Sequence, residues 1–579
     1  MPDTPDVPET FPTPDDESLP RRIADAYVDA LADLDPITGT YLGLSPGDDR
    51  LPDYSPAGQE RLAELSRHTL ALLDAAEAAG PDSPAVRDDA ERRCARLLRE
   101  RLTAELAVHE AGEGLRRMSN LFSPVHKVRD VFNLMPTGTD ADWKAIAGRL
   151  CNVPEALAGY RASLAAGLER GLPAGPRQVS TVIGQLDAWV GGERSWFAGF
   201  VSAGPEARRE ELTDAAARAT GAVAELRDWL RDHYAPAVEG APDAVGRERY
   251  ARWARQWNGT DLDLDEAYAW GWQEFLRIDA EMRAEAEKVL PGSTPQQALA
   301  HLNKAGEAIE GVDAVREWLQ ALMDEAIDAL DGIHFDLAEP IRRVEAMIAP
   351  TGSAAAPYYT APSLDFSRPG RTWLPTLGRD RFPVYDLVSI WYHEGVPGHH
   401  LQLAQWVYVS GELSRYQATV GSVSANLEGW ALYAERLMDE LGFLTDPAQR
   451  LGYLDFQMMR AIRVIIDIGM HLQLPIPQDS VEKIGWGQPG ERWTPELARE
   501  FFGRYSGRSA DFLDSELVRY LGMPGQAIGY KLGERAWLTG REAARRAHGD
   551  AFDLKAWHMA ALSQGSLGLD DLVDELSRL

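Results

Sequence analysis

The segment Tyr392-His393-Glu394-Gly395-Val396-Pro397-Gly398-His399-His400 lies in the second half of the 579-residue chain. It begins like the helical pattern H-E-x-x-H, in which two histidines one turn apart bind zinc and the glutamate acts on the metal's water. The position four residues after His393 is Pro397, however, which offers no metal ligand. The next histidines come six and seven residues after His393, so the segment predicts a distorted helix.

This distortion decides which histidine is the second candidate ligand. Pro397 removes a backbone donor and Gly398 loosens the helix, so we expect a bulge here. A bulge that absorbs two extra residues returns His399 to the position of the second ligand. In a regular helix, His400 would share a face with His393 but lie ~10 Å further along the axis. We therefore favour His399, with His400 as the alternative ligand. Hydrogen-bonded core histidines are the purely structural interpretation.

A catalytic zinc site also needs a third protein ligand and an open position for water. Glu428 and Glu435 are seven residues apart on one face of a predicted helix that is otherwise apolar. Because buried carboxylates require a cation or hydrogen-bond donors, we expect Glu428 to be the third ligand. The small Gly429 beside it permits close approach of another helix. We expect Glu435 to orient a ligand histidine, with a solvent-facing pair of acids as the alternative.

The next predicted helix carries charged residues among apolar ones. Arg460, Arg463, Asp467 and His471 follow one another at spacings of three, four and four, which places them on one side. The structural interpretation pairs Arg463 with Asp467. In the functional interpretation an arginine holds a substrate carboxylate, and His471 donates to the oxyanion of the transition state. Tyr530, at the start of a later predicted helix, is a second candidate donor to that oxyanion.

The composition disfavours several partners. The chain has 59 basic and 90 acidic side chains, and its formal net charge of -31 disfavours binding to nucleic acid or anionic membranes. Residues 1–18 lack the features of a signal peptide, and we predict that they form a disordered acidic tail. No window approaches the ~20 apolar residues of a membrane span. Two cysteines, Cys94 and Cys151, are typical of a reducing compartment, so we expect a soluble cytoplasmic protein.

Apolar periodicity predicts a mainly α fold with one small sheet. Helical spacing dominates to residue 335, whereas alternation in 341–348 predicts a strand and 354–374 predicts a hairpin with a Pro-Gly turn. After the tail we therefore predict two parts. Residues 19–335 would form a helical wall of a cleft. Residues 336–579 would hold the sheet, the metal-binding helices and the C-terminal helices.

Taken together, these segments resemble the bacterial family called domain of unknown function 885, which is assigned to the zincin clan of metallopeptidases. The matching segments are 358–359 with 367–370, 392–402, 428–435, 460–471 and 524–531. The resemblance implies a large multi-helix, gluzincin-like fold in which a small β-sheet borders a deep active-site cleft. The family pattern H-E-x-x-P-G-H also supports His399 over His400.

We therefore expect a zinc-dependent hydrolase that cleaves small peptides. His393, His399 and Glu428 would bind Zn²⁺, and Glu394 would act as general base. The candidate oxyanion donors are Tyr530 and His471. The candidate substrate-binding residues are Tyr358, Tyr359, Arg460, Arg463 and Lys531. Residues that would support the ligands or replace one of them are His400, Glu435 and Asp467. Two alternatives are a metal-dependent amidase acting on a small non-peptide amide, and a helical binding protein that keeps the site only as structure.

Overall fold

A computed structural model describes residues 19–78, 88–350 and 356–579. The tail predicted for residues 1–18 lies outside the described residues, as does the start of the predicted hairpin. In the described ranges the chain is mainly helical with two small sheets, which confirms the predicted class. None of the helices in these ranges is both long and apolar enough to span a membrane.

By their internal contacts the residues form two compact units. One comprises Met1–Val245 and Val518–Met523, and the other comprises Gly246–Leu517 and Pro524–Leu579. The boundary predicted near residue 336 lies inside the second unit. The change of pattern there marks the passage from helices to the sheet.

Within its described residues, the first unit contains helices and no strand. Its longest helix begins at a capping box, in which Thr139 and Asp142 bond to each other's backbone N–H. Its main core packs the apolar faces of the helices later in this unit, with Ile146, Leu150 and Leu226 almost fully buried. The helices are α1 Pro20–Leu34, α2 Pro36–Tyr41, α3 Pro56–Ala78, α4 Asp89–Glu110, α5 Pro124–Asp130, α6 Asp140–Glu169, α7 Pro176–Val190, α8 Trp196–Val201, α9 Arg209–Trp229 and α10 Ala235–Ala237.

The second unit holds all the candidate site residues. Its central helix starts at the N-cap Asp446, whose side chain accepts from two backbone N–H groups, and it is buried along almost its whole length. The helices from residue 246 onward are α11 Arg247–Asn258, α12 Leu264–Val289, α13 Pro295–Ala305, α14 Val312–Leu330, α15 Val388–Glu394, α16 His399–Tyr408, α17 Arg415–Ala418, α18 Ser424–Glu440, α19 Pro447–Leu472, α20 Gln478–Ile484, α21 Pro495–Tyr505, α22 Ala510–Gly522, α23 Gly529–His548, α24 Leu554–Leu562 and α25 Leu569–Arg578.

Two small sheets lie between α13 and α15 in the chain. Their strands are β1 Ala308–Glu310, β2 Val344–Ile348, β3 Tyr358–Thr360, β4 Gly370–Leu374 and β5 Arg381–Pro383. β1 pairs antiparallel with β5, while the other three have the order β2-β4-β3. The predicted strand and hairpin therefore belong to one sheet, with β3 antiparallel and β2 parallel to β4. The predicted Pro-Gly turn is wrong, because Gly370 is already the first residue of β4.

The outer edge of β2 is closed by a side chain of α14. Gln320 Nε2 donates to the carbonyl oxygen of Val344 at 3.1 Å, and its Oε1 accepts from the N–H of Ala346 at 2.8 Å. A side-chain amide thus pairs with backbone groups that a further strand would otherwise use.

α18 and α23 cross at two glycines. A Cβ on Gly429 would lie 2.4 Å from the backbone of Gly533, and a Cβ on Gly533 would lie 2.0 Å from the carbonyl oxygen of Ala425. The crossing therefore permits only hydrogen at both positions. This contact sets the distance between α23 and α18, the helix that carries Glu428 and Glu435.

An aromatic cluster packs behind α18. The ring of His558 stacks on Phe335 with centroids 4.9 Å apart, and its Nε2 lies 2.7 Å from the hydroxyl of Tyr433. Trp430 packs edge-on to the same imidazole. Burial, with the nearby charge of Arg541, lowers the pKa of His558 to about 3.

Replacing Gly429 with alanine should destabilise the protein by about 1–3 kcal/mol, since the added methyl group meets backbone that cannot rotate away. Gly184, in α7, is the matched control, because a Cβ there meets no atom within 4 Å. Gly184→Ala should leave stability unchanged or raise it by up to ~1 kcal/mol. Thermal unfolding of both variants checks this, and equal melting temperatures would contradict the close crossing.

The buried imidazole of His558 predicts a pH-dependent contribution to stability. Its pKa is lower in the folded than in the unfolded chain, so the contribution is complete above pH ~6.5. It is lost toward pH 3 by ~1.4 kcal/mol per pH unit. His558→Gln should therefore be less stable than the wild type at pH 7, with the difference shrinking toward pH 4. Urea unfolding at each pH measures this, with exposed His548→Gln as control. A difference that stays constant with pH would refute the assignment.

Candidate metal centre

The histidine-rich segment forms two helices rather than one bulged helix. α15 ends at Glu394 and α16 begins at His399, and the intervening Val396–Pro397 peptide bond is cis. A Cβ on Gly398 would lie 2.0 Å from the carbonyl oxygen of His393, so the chain turns back tightly on α15. The predicted bulge is wrong because Pro397 and Gly398 end the helix instead of widening one turn.

Trp430 of α18 forms hydrogen bonds to the turn between α15 and α16. Its indole N–H donates to the carbonyl oxygens of Pro397 at 2.9 Å and of Gly398 at 3.1 Å. The carbonyl oxygen of Gly398 also accepts from the N–H of Gln402 at 3.2 Å, as part of the first turn of α16. The side chain is fully buried, so its position is fixed by packing. The same helix therefore presents Glu428 and anchors the loop that delivers His399.

The structure brings together the three predicted ligands, His393, His399 and Glu428, which we call the triad. One ligand atom from each of His393, His399 and Glu428 lies within 4.8 Å of the others. Glu428 Oε2 is 3.4 Å from His393 Nε2 and 3.5 Å from His399 Nε2. Tetrahedral ligands held ~2.0–2.1 Å from a zinc ion lie ~3.4 Å from one another, so the two distances from Glu428 fit such a site.

The donor set also fits a cation chemically. Glu428 Oε2 is a buried atom without a hydrogen-bond partner, although two imidazole nitrogens lie beside it. Burial raises the pKa of Glu428, but His393 and His399 outweigh it and hold the pKa well below its usual value. An ionised carboxylate oxygen with no hydrogen bond is left for a metal ion to satisfy. No other group of three metal-competent side chains occurs among residues 19–78, 88–350 and 356–579.

His400 is engaged elsewhere. Its Nε2 donates to the carbonyl oxygen of Ile341 at 2.6 Å, and its Nδ1 accepts from the hydroxyl of Tyr359 at 2.9 Å. Burial lowers the pKa of His400 to about 4, which keeps the ring neutral. One ring nitrogen thus joins α16 to β3, and the other joins it to the turn before β2. The structure therefore does not place His400 in the triad. The hydroxyl of Tyr359 already has a partner within the protein.

Glu435 lies behind His393, as expected for a residue that orients a ligand. Its Oε1 is 2.8 Å from His393 Nδ1, and its Oε2 accepts from Ser389 Oγ at 2.7 Å. Burial raises the pKa of Glu435, but the charge of Arg460 and the bond from His393 outweigh it and lower the pKa. Because a carboxylate only accepts, Nδ1 of His393 carries the proton and Nε2 offers its lone pair toward Glu428.

Glu394 is buried at the end of α15, directly after His393. Burial raises its pKa to about 8. The charge of His399 acts to lower this value and that of Glu428 to raise it. A carboxyl group with a pKa in this range can both accept and return a proton near neutral pH.

The arginines on α19 have carboxylate partners within the protein. Arg460 lies 3.1 Å from Glu435, and Arg463 lies 2.8 Å from Glu516. Glu516 of α22 is a carboxylate partner of Arg463, whereas the structural interpretation of the sequence paired this arginine with Asp467. Both guanidinium groups approach the half-buried ring of Tyr530, at 5.9 Å and 4.7 Å from its centroid. Arg460 therefore contacts both Tyr530 and Glu435.

His471 and Asp467 lie further along α19. Asp467 accepts from the hydroxyl of Tyr250 at 2.8 Å and from the N–H of Gly525 at 2.9 Å. The buried ring of His471 lies 3.7 Å from Asp467 and packs against Tyr250. Arg460 and His471 are eleven residues apart in one helix, or ~16 Å along its axis. The structure therefore does not bring His471 or Asp467 to the triad.

Two further candidates for substrate binding have structural partners. Lys531 is fully buried and lies 2.8 Å from Glu274 and 2.8 Å from Gln457, and it also pairs with Glu534. Tyr358 stacks on Trp373 across the sheet, with centroids 5.8 Å apart. Neither contact involves the triad.

Three supporting residues are missing from the sequence prediction. Ser389 precedes His393 by one helical turn, so its spacing could have indicated a role on the same face. Trp430 and Gln457 gave no such signal, because their partners come from segments remote in sequence. Gln457 Nε2 lies 3.5 Å from Glu435.

Comparison with known proteins identifies the family. The family described as "Bacterial protein of unknown function (DUF885)" matches residues 36–576. None of the curated proteins matches the chain. "The crystal structure of the putative lipoprotein from Colwellia psychrerythraea" has a TM-score of 0.82 at 21% identity and covers 96% of this chain and 98% of that chain. "The structure of a putative lipoprotein of unknown function from Shewanella oneidensis" has a TM-score of 0.72 at 17% identity and covers 96% and 100%.

At these identities the two likenesses show a shared fold and nothing about activity. The match to the family extends over nearly the whole chain. The protein therefore belongs to the bacterial DUF885 family.

Proposed function

We propose that the protein is a zinc-dependent hydrolase of the peptidase type, with the zincin-like fold and substrate cleft that the family resemblance implies. The proposal rests on one observation above all. Two imidazole nitrogens and one carboxylate oxygen lie within 4.8 Å of one another, the oxygen is 3.4 Å and 3.5 Å from the two nitrogens, and it has no hydrogen bond. Three protein ligands leave one position for water, as in catalytic rather than structural zinc sites.

His393, His399 and Glu428 would hold the ion. Bound Zn²⁺ would lower the pKa of a water molecule toward ~7 and polarise the carbonyl group of the substrate. Glu394 directly follows the first ligand and is buried, and in this proposal its carboxylate accepts the proton of the attacking water. It then returns that proton to the leaving amine. Glu435 holds His393 in the tautomer that exposes Nε2.

Tyr530 is the remaining candidate for stabilising the oxyanion. Its ring lies beside Arg460, which contacts both Glu435 and His393. A phenol there would donate a hydrogen bond to the developing negative charge. The substrate class in this proposal is a small peptide, and a panel of short peptides tested against N-acyl amines separates it from a non-peptide amide.

Glu394→Gln should retain bound zinc and lose turnover by about 10²–10⁴-fold, because the amide keeps the shape of the side chain but cannot take a proton. Metal analysis and peptide hydrolysis measure the two effects on one sample. Glu317→Gln, at an exposed position of α14, is the matched control and should behave as the wild type. Unchanged turnover in the Glu394 variant would reject this residue as the base.

His399→Ala and His400→Gln should differ in metal binding. The first removes a ligand nitrogen and should abolish stoichiometric zinc. The second removes hydrogen bonds to Ile341 and Tyr359, and should lower the melting temperature while zinc remains bound. Zinc content after dialysis, measured beside thermal unfolding, distinguishes the two. Loss of zinc only in the His400 variant would contradict the proposed triad.

A further inference from the structure

The buried guanidinium of Arg460 contacts side chains of the protein, unlike the guanidinium of a residue that binds a substrate carboxylate. It is 2% exposed, and its Nη1 lies 3.1 Å from Glu435 Oε1. Its Nη2 lies 3.3 Å from Nδ1 of His393. The group therefore faces the side of His393 opposite to the ligand nitrogen. Its charge is already balanced by a carboxylate, so a substrate carboxylate would have to displace Glu435 to use it.

We propose that Arg460 is a positioning residue, which holds Glu435 and thereby fixes the ring of His393 with Nε2 directed at Glu428 and His399. This inference rests on the proposed function, because it assigns the three side chains to a metal ion. It replaces the sequence-based assignment of Arg460 to a substrate carboxylate.

The other contacts of Glu435 explain why the arginine is needed. Ser389 supplies one short hydrogen bond of 2.7 Å, whereas Gln457 contributes only a long contact of 3.5 Å. Arg460 is the cation beside this buried carboxylate, and a buried carboxylate without a counter-charge is costly. Without the arginine, Glu435 would turn toward other donors and release Nδ1 of His393.

The same guanidinium also touches the candidate oxyanion donor. Its central carbon lies 5.9 Å from the ring centroid of Tyr530 and 5.4 Å from that of Phe456. It is thus packed beside two aromatic rings while Nη1 faces Glu435 and Nη2 faces His393, and these contacts restrict its orientation. Arg460 links the orientation of a metal ligand on α15 to the place of Tyr530 on α23.

The test is a metal-binding measurement that requires no substrate. Loss of a residue that supports a metal ligand costs about 10–100-fold in metal affinity. Arg460→Met should therefore weaken zinc binding by that factor in a chelator competition, and it should alter the visible absorption spectrum of the Co²⁺-substituted protein. Arg460→Lys keeps the charge but not the planar fork, so its affinity should fall between the two.

Arg463→Met is the matched control. Arg463 lies on the same helix and the same side, contacts the same ring of Tyr530, and pairs with Glu516 instead of Glu435. Its replacement should leave zinc affinity within about twofold of the wild type. If both methionine variants weaken binding equally, the effect is general destabilisation and the proposal fails.

The outcomes separate this inference from the proposed function. If the wild type binds zinc, and folded Arg460→Met and Arg460→Lys bind it equally well with the same Co²⁺ spectrum, only the positioning role is overturned. A raised KM for peptides with a free carboxylate, at unchanged metal affinity, would restore the substrate-binding role and likewise overturn it. If the wild type binds no zinc, the metal site itself is refuted, and the positioning role with it.

Discussion

Everything at the candidate centre depends on a helix that stops and starts again within four residues. A regular helix cannot place the second histidine beside the first at this spacing, so the chain must leave the helical path and return. Trp430 donates to the carbonyl oxygens of Pro397 and Gly398 in the turn between the two helices. Trp430 and Glu428 belong to the same helix, α18, so the residue that contacts the turn and the third ligand have a fixed relative position. The three ligands therefore stand on three helices, α15, α16 and α18, rather than on a loop.

The second constraint is the treatment of buried charge. α19 carries charged side chains through an almost wholly apolar interior, and Arg460, Arg463 and Asp467 each have a partner from another helix. Such pairs rarely add net stability, because desolvation offsets the attraction between the charges. They do specify geometry, since a shifted helix would leave a charge unpaired. Around the triad, this requirement orients Glu435 and through it His393.

Residue type and local spacing carry much of the information on the site, but not all of it. Two histidines and Glu428 were predicted as a ligand set, and the structure brings these three side chains together. The partners of Arg463 and Asp467 could not be read in the same way, because Glu516 and Tyr250 belong to remote segments. The spacing along α19 indicated a local pair, whereas tertiary packing offered better-placed partners. In the sheet, alternation predicted strands, but the parallel pairing of β2 with β4 depends on chain path rather than on local pattern.

Gln320, which binds the outer edge of β2, affects how this edge can interact with other chains. An unprotected strand edge offers a row of amide and carbonyl groups on which a strand of another chain can assemble. Gln320 occupies two of those groups with a side chain from the same molecule. This small sheet is therefore guarded on that flank against recruitment into intermolecular aggregates.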